Sequence, residues 1–287
     1  MDAFHLPFFR TALLASFVLA GIHAYLGFHV VRRGVIFVDL ALAQMAALGV
    51  AVAVALGRHE NHPYQTYVFA LSMTLVGAAC FAWLRGQERR NVPLEAFIGI
   101  VFATAQAIVL LILEKSPSGP EHLKETLAGA LFTVDPRHVW HTAILYAAIG
   151  LAHWLLRKPF FEITTDARGA RARGRRLFLW DFLFYGIFGF VVTSSVQIAG
   201  VLLVFGLLVI PSVAGLMTTS RTGLALAIGW GFGCVGCLAG LWGSVRFDLP
   251  AAPSILVARS GLLVLFGLVQ AARVRGFGAV DREGAGS

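Results

Sequence analysis

The chain is dominated by apolar runs long enough to cross a bilayer, a length that takes about 20 residues as a helix. They are Phe8 to Val31, Gly34 to Gly57, Tyr64 to Leu84, Leu94 to Leu113, Val139 to Leu156, Leu177 to Ser195, Gln197 to Ser220, Leu224 to Trp242 and Ile255 to Ala272. Between them lie only short polar connectors. Charged residues make up 13% of the 287 positions, against about 25% in soluble domains, so no connector can build a soluble core. The expected fold is all-α and polytopic, with about nine transmembrane helices. It forms one membrane domain over residues 1–276, with a loose tail over 277–287. The stretch Glu121 to Val134 is too short and too polar at its start to span, and is expected to be interfacial or re-entrant.

A net charge of +8 would suit nucleic acid, but the basic residues sit in clusters between apolar runs, which is how orientation in a membrane is written. Arg32-Arg33, the Arg85–Arg90 group, the connector after Leu156, Arg221 and the Arg273/Arg275 tail fall on one side, expected to be cytoplasmic. Arg58, Lys115, Lys124 and Arg246 are scattered on the other. The N-terminus then faces outward and the C-terminus inward, as expected for a bacterial plasma (inner) membrane protein. The first run is too long for the core of a cleaved leader. Cys80, Cys234 and Cys237 all lie inside apolar runs, so no disulfide framework is implied. The chain carries no GxxxxGK[ST] phosphate loop, no HExxH and no GxSxG. It is expected to be non-catalytic and to bind no cofactor of its own.

Polar residues inside these runs are the candidates for function, because ionisable groups in lipid are costly. Asp39 is the clearest. Gln44 follows five residues later, about 140° around a helix, so the two do not share a face. Gln106, His23, His29 and His153 are further interior polar groups, the histidines reading as hydrogen-bonded core residues. Asp181 falls near a helix start, where a carboxylate suits the dipole. In Gln197 to Ser220, Pro211 with Ser212 and Gly215 behind it predicts a helix break against other helices or a wet route. The loop Arg58-His59-Glu60-Asn61-His62 offers His59 and His62 as weak metal ligands. Gly229/Gly233 and Gly236/Gly240 have the spacing for close helix packing. The connector Arg157 to Arg176 holds seven basic residues, and within it Asp166, Ala170 and Gly174 recur at four-residue steps. That spacing makes one small-residue stripe of a helix, which predicts a docking surface.

Four stretches together resemble the membrane permease subunits of ABC importers for zinc, manganese and iron. They are Arg32-Arg33 with Phe37-Val38-Asp39 and Leu42 to Gly49; Leu127 to Val134; Asp166-x-x-x-Ala170-x-x-x-Gly174; and Gly200 to Val204 through Ile210-Pro211-Ser212-Val213-Ala214 with Asp248-Leu249-Pro250. The resemblance implies a homodimer of permeases around a central path. It implies cytoplasmic ABC ATPase subunits that hold the ATP and dock on Asp166 to Gly174, and an extracytoplasmic metal-binding protein that delivers a divalent metal ion as cargo. One departure stands out. The family pattern puts Asp and His four apart in the second helix; aligned on Gly49, this chain has Gln44 in the histidine's place and Asp39 one residue out of register. Two other functions fit the residues alone: a secondary transporter using Asp39 as its ion site, and a membrane scaffold that transports nothing.

Overall fold

The computed structural model describes residues 5–58, 63–86, 93–115 and 129–284. Ten helices follow in order: α1 (Pro7–Arg33), α2 (Val38–Ala55), α3 (Pro63–Gly86), α4 (Leu94–Leu113), α5 (Pro136–Leu155), α6 (Arg157–Thr165), α7 (Ala167–Ala172), α8 (Leu177–Thr218), α9 (Thr222–Phe247) and α10 (Ala251–Gly284). A single 3-10 turn, Leu131–Thr133, precedes α5. No strand occurs among the described residues. Several boundaries follow from local chemistry. Pro at the first turn suits α1 and α5, where its missing N–H costs nothing. Gly34 ends α1 in the left-handed region at φ 67°, returning its N–H to the last turn. Asp135 caps α5 by accepting from the Arg137 N–H at 2.7 Å.

α8 is 42 residues long, yet it is not one rod. Gly200 sits at φ 73°, ψ 160° inside it. Ser195 Oγ lies 3.2 Å from His23 Nε2, and Ser212 Oγ donates to the Ala24 carbonyl at 3.3 Å. Seventeen residues of straight helix would separate those serines by about 25 Å, yet they meet adjacent residues of α1. The chain therefore folds back at Gly200 into two legs, 177–199 and 201–218. Among the described residues seven helices are long and apolar enough to span, and α5 with α6, bent by 73°, supplies an eighth. With α8 counted as one span, this is close to the total of about nine expected from the sequence.

This corrects the expected position of the break. Gln197 to Ser220 was expected to break at Pro211, but the backbone leaves helix at Gly200, while Pro211 stays within the returning leg. The reason is conformational. Proline fixes φ near the helical value, whereas only glycine enters the region of Gly200 without strain. The reversal frees backbone groups, and the segment before α5 satisfies one of them: the Ala130 N–H donates to the Ile198 carbonyl at 3.1 Å. Gly129, at φ 67°, lies so close that a Cβ on it would overlap the Ala199–Gly200 backbone. The expected non-spanning segment is thus a plug over the turn of α8, as far as it is described; residues 121–128 lie outside. Gly129→Ala is expected to cost about 1–3 kcal/mol, the usual penalty for a non-glycine residue in strained backbone, read as a lower unfolding temperature of the detergent-purified chain.

The core runs along α1 and both legs of α8, where Leu19, Leu26, Phe184, Phe188, Val204 and Leu207 are fully buried. The glycines of α9 make the close approaches that their spacing predicts: Gly229 faces the Pro211 backbone and Gly240 the Ile255 backbone. Gly233 and Gly236 make room for Arg259 of α10, which is entirely buried. The last helix is described as far as Gly284.

Candidate functional site

α2 is held at both ends. The Phe37 N–H donates to Glu95 Oε1 of α4 at 3.0 Å, and the Phe37 ring stacks on Phe205 of the returning leg, centroids 6.3 Å apart. Further along, Gly49 abuts the Phe69–Ala70 backbone of α3 so closely that no side chain would fit. This clamp drives Asp39, one residue into the helix, to 1% exposure. Both of its carboxylate oxygens are buried without a hydrogen-bond partner among the described residues. Gln44 is 3% exposed, and its position about 140° away means that α2 is enclosed on more than one side. Burying a charged carboxylate with no counter-charge costs several kcal/mol. No cluster of three or more His, Cys, Asp or Glu able to hold a metal occurs among the described residues. His59 and His62 lie outside the described residues.

The trio expected to line a route from α8 is dispersed. Gln197 is exposed within a stretch that is otherwise buried. Pro211 and Ser212 are interior. Pro211 packs on Gly229 and Gly233 of α9, and Ser212 Oγ donates to the Leu208 carbonyl at 2.7 Å as well as to Ala24 of α1. Ser212 thus knits the returning leg to α1, and of the three only Gln197 faces outward.

The connector after Leu156 forms two short helices, and it does not carry an outward stripe of small residues. Asp166 is the N-cap of α7, its Oδ1 accepting from the Gly169 N–H at 2.8 Å. Ala170 is fully buried against the chain's own helices. Gly174, at φ 84°, lies beyond the helix and helps to end it. The four-residue spacing therefore encodes a cap, an inward contact and a stop. A continuous stripe needs a continuous helix, and α7 spans only Ala167–Ala172. Glu162 of α6 braces this elbow, accepting from Arg173 at 2.7 Å and Arg175 at 3.1 Å. The bond from Arg173 holds the Glu162 carboxyl below its usual range. The outward face of the elbow is basic, with Arg168, Arg171, Arg173 and Arg175 all exposed.

The elbow is tied to the bundle by a charged centre that sequence reasoning missed. Arg33 ends α1, Arg85 lies at the end of α3, and Asp181 opens α8. Asp181 Oδ1 accepts from Arg33 at 2.9 Å and from Arg85 at 2.8 Å. The Arg33 guanidinium also lies 3.9 Å from the Phe184 ring centroid, a cation–π contact. Its Nε donates to Thr164 Oγ1 of α6 at 3.0 Å, and His29 Nδ1 lies 2.8 Å from the same hydroxyl. The available signal was that all three charges terminate or open apolar runs on the side assigned to the cytoplasm. Of the interior histidines, His23 has two polar neighbours, the Leu19 carbonyl at 2.7 Å and Ser195. His153 has both ring nitrogens buried without a partner and stacks on Phe160 at 4.6 Å. Arg259 donates to the Gly233 carbonyl at 2.6 Å and to Cys237 Sγ at 3.4 Å.

Comparison with known proteins places this geometry. The chain is 23% identical to the manganese transport system membrane protein MntC of Halalkalibacterium halodurans, over 90% of this chain and 86% of that one. It is 25% identical to the high-affinity zinc uptake system membrane protein ZnuB of Haemophilus influenzae, over 88% and 94%. Its fold superposes on a chain of PsaBC from Streptococcus pneumoniae with a TM-score of 0.76 at 20% identity, covering 91% of each. Residues 5–270 match the ABC 3 transport family over nearly the whole length, and the chain is an integral membrane protein of that family.

Proposed function

We propose that this chain is the permease subunit of an ATP-binding-cassette importer that carries a divalent transition-metal ion, of the zinc, manganese or iron class, into the cytoplasm. The observation that carries this reading is Asp39, an uncompensated carboxylate sealed into α2. A hard oxygen ligand with no protein partner suits a transient cation station better than a tight site, since retained metal would not move on. The names of the manganese and zinc relatives support the cargo class. Gln44 is a poor ligand for zinc, which favours a cation more tolerant of oxygen donors, manganese among them. Energy comes from a separate ATPase, because the sequence has no phosphate loop. That ATPase docks on the α6–α7 elbow, whose basic outward face is the surface available to it. A second copy of the chain completes the path, and an extracytoplasmic metal-binding protein loads it.

Uptake of radioactive manganese and zinc into proteoliposomes tests this. Transport is expected only when the chain is reconstituted with the ATPase and ATP, and it should be abolished by an ATPase defective in hydrolysis. The orphan carboxylate equally suits a secondary transporter, where it would be the coupling-ion site. Uptake by the chain alone, driven by a proton or sodium gradient and indifferent to ATP, would establish that second reading and reject the first.

A further inference from the structure

A groove of about 650 Å³ opens on the flank of the bundle. Its floor is one face of α1 from Phe17 to Tyr25, one wall is α5 from Ala143 to Trp154, and the other is α9 at Leu226 and Trp230. The lining is apolar except at one end, where Arg157 closes it. That end carries the arginines of the bundle, since α6, which begins at Arg157, reaches Arg33 through Thr164. Arg157 is exposed but not free to wander: it donates to the Trp154 carbonyl at 2.9 Å and stacks over the Trp154 ring at 4.6 Å. Lys158, also exposed, follows it.

We propose that this groove binds an anionic phospholipid of the leaflet on the arginine-rich side, one acyl chain along α1 and the phosphate on Arg157. The dimensions agree. From Phe17 to Tyr25 the floor is about 12 Å long, and from Ala143 to Trp154 the wall is about 16 Å. One leaflet of hydrocarbon is about 15 Å deep. An acyl chain therefore lies along the apolar floor while its head group reaches the guanidinium. Basic pockets between spanning helices on the cytoplasmic side bind anionic head groups by this same pairing. Tyr25 lines the same end of the groove, its hydroxyl buried behind the ring without a hydrogen-bond partner among the described residues. Two tryptophans, Trp154 and Trp230, about half exposed, stand on opposite walls, and indole rings favour the level where hydrocarbon meets head groups. The bound lipid would wedge α5 against α1 just above the 73° bend into α6, and so brace the elbow. The inference does not depend on which cation is transported.

The test uses the full chain, stripped of lipid in detergent and titrated with phosphatidylglycerol or phosphatidylcholine bearing brominated acyl chains. Quenching of tryptophan emission reports occupancy. Brominated phosphatidylglycerol is expected to quench at about fivefold lower lipid fraction than phosphatidylcholine, the worth of one basic residue at an anionic surface. Arg157→Gln should erase that difference while leaving the unfolding temperature of the lipid-free chain unchanged. Gly150→Leu fills the groove, where a Cβ meets nothing within 4 Å, and should weaken quenching by both lipids. Equal quenching by the two lipids in the parent chain would overturn head-group recognition. Efficient disulfide crosslinking of Gly150→Cys between two copies in native membranes would overturn the lipid altogether and make the groove a contact between copies.

Discussion

Asp181→Asn is expected to destabilise the chain by about 3–5 kcal/mol, the cost of leaving buried charges without their partner. Asp181 is 1% exposed, and the side chains of Arg33 and Arg85 that it serves are 0% and 9% exposed. Losing the carboxylate removes the shared counter-charge of both guanidiniums at once. Arg33 is the worse placed, since it sits over Phe184 with one nitrogen already unpartnered. Arg85, nearer the surface, can turn towards water. The double variant Arg33→Met/Asp181→Asn should therefore recover much of the loss, because it removes the charge that has no escape. Thermal unfolding of the purified variants measures both effects. If Asp181→Asn unfolds within about 1 kcal/mol of the parent, the centre is solvated and does not hold α1, α3 and α8 together. A second readout follows from Thr164. With Arg33 released, the elbow loses a bond to the bundle, so ATPase stimulation should fall further than stability alone explains.

Asp39→Asn is expected to move stability and transport in opposite directions. The carboxylate has no partner in the described structure, so neutralising it removes a desolvation penalty and should raise stability by at least about 1 kcal/mol. If Asp39 meets the cargo as proposed, the same change removes a charge-assisted contact worth about 1.5–3 kcal/mol. That corresponds to a roughly tenfold to hundredfold slower uptake. A stabilised chain with undiminished uptake would mean that the metal passes without touching Asp39. Gln44→Glu, by contrast, adds a second buried carboxylate and should lower stability unless metal is supplied. Adding manganese to that variant and following its unfolding temperature shows whether α2 has become a true binding site.

Much of this architecture is legible because hydrophobic length is a coarse signal that membranes enforce. The run boundaries come from that signal, and the close-packed glycines of α9 from their four-residue spacing. Failures arise where a residue's role depends on a partner far away in sequence. Pro211 reads as the break because proline is the usual helix breaker, while Gly200 reads as one apolar residue among many; the backbone of Gly200 locates the turn, and the contacts of Ser195 and Ser212 with neighbouring positions of α1 show that it is a reversal. Ala170 read as an outward contact because its spacing with Asp166 and Gly174 fits a helix, but the helix stops after Ala172 and turns Ala170 inward. Asp181 read as a dipole partner because its pairing with Arg33 and Arg85 spans 148 and 96 residues of sequence. Arg259 is a lone charge in an apolar run, and its burial depends on the room left by Gly233 and Gly236. Asp39 was found from sequence alone, since a carboxylate inside an apolar run is conspicuous, but its lack of any counter-charge is a fact of packing.

The turn at Gly200 also fixes a parity. Most reversals in a membrane chain are announced by polar residues that cannot enter lipid, so the two sides are sorted as each loop emerges. Here the polypeptide changes direction within an unbroken apolar stretch, guided by one left-handed glycine and one backbone bond from Ala130. Were that stretch to insert as a single crossing, every loop after it would exchange sides, and Arg221 would be delivered to the compartment where Arg246 belongs. The handedness of everything downstream in the bilayer thus hangs on a residue with no side chain at all.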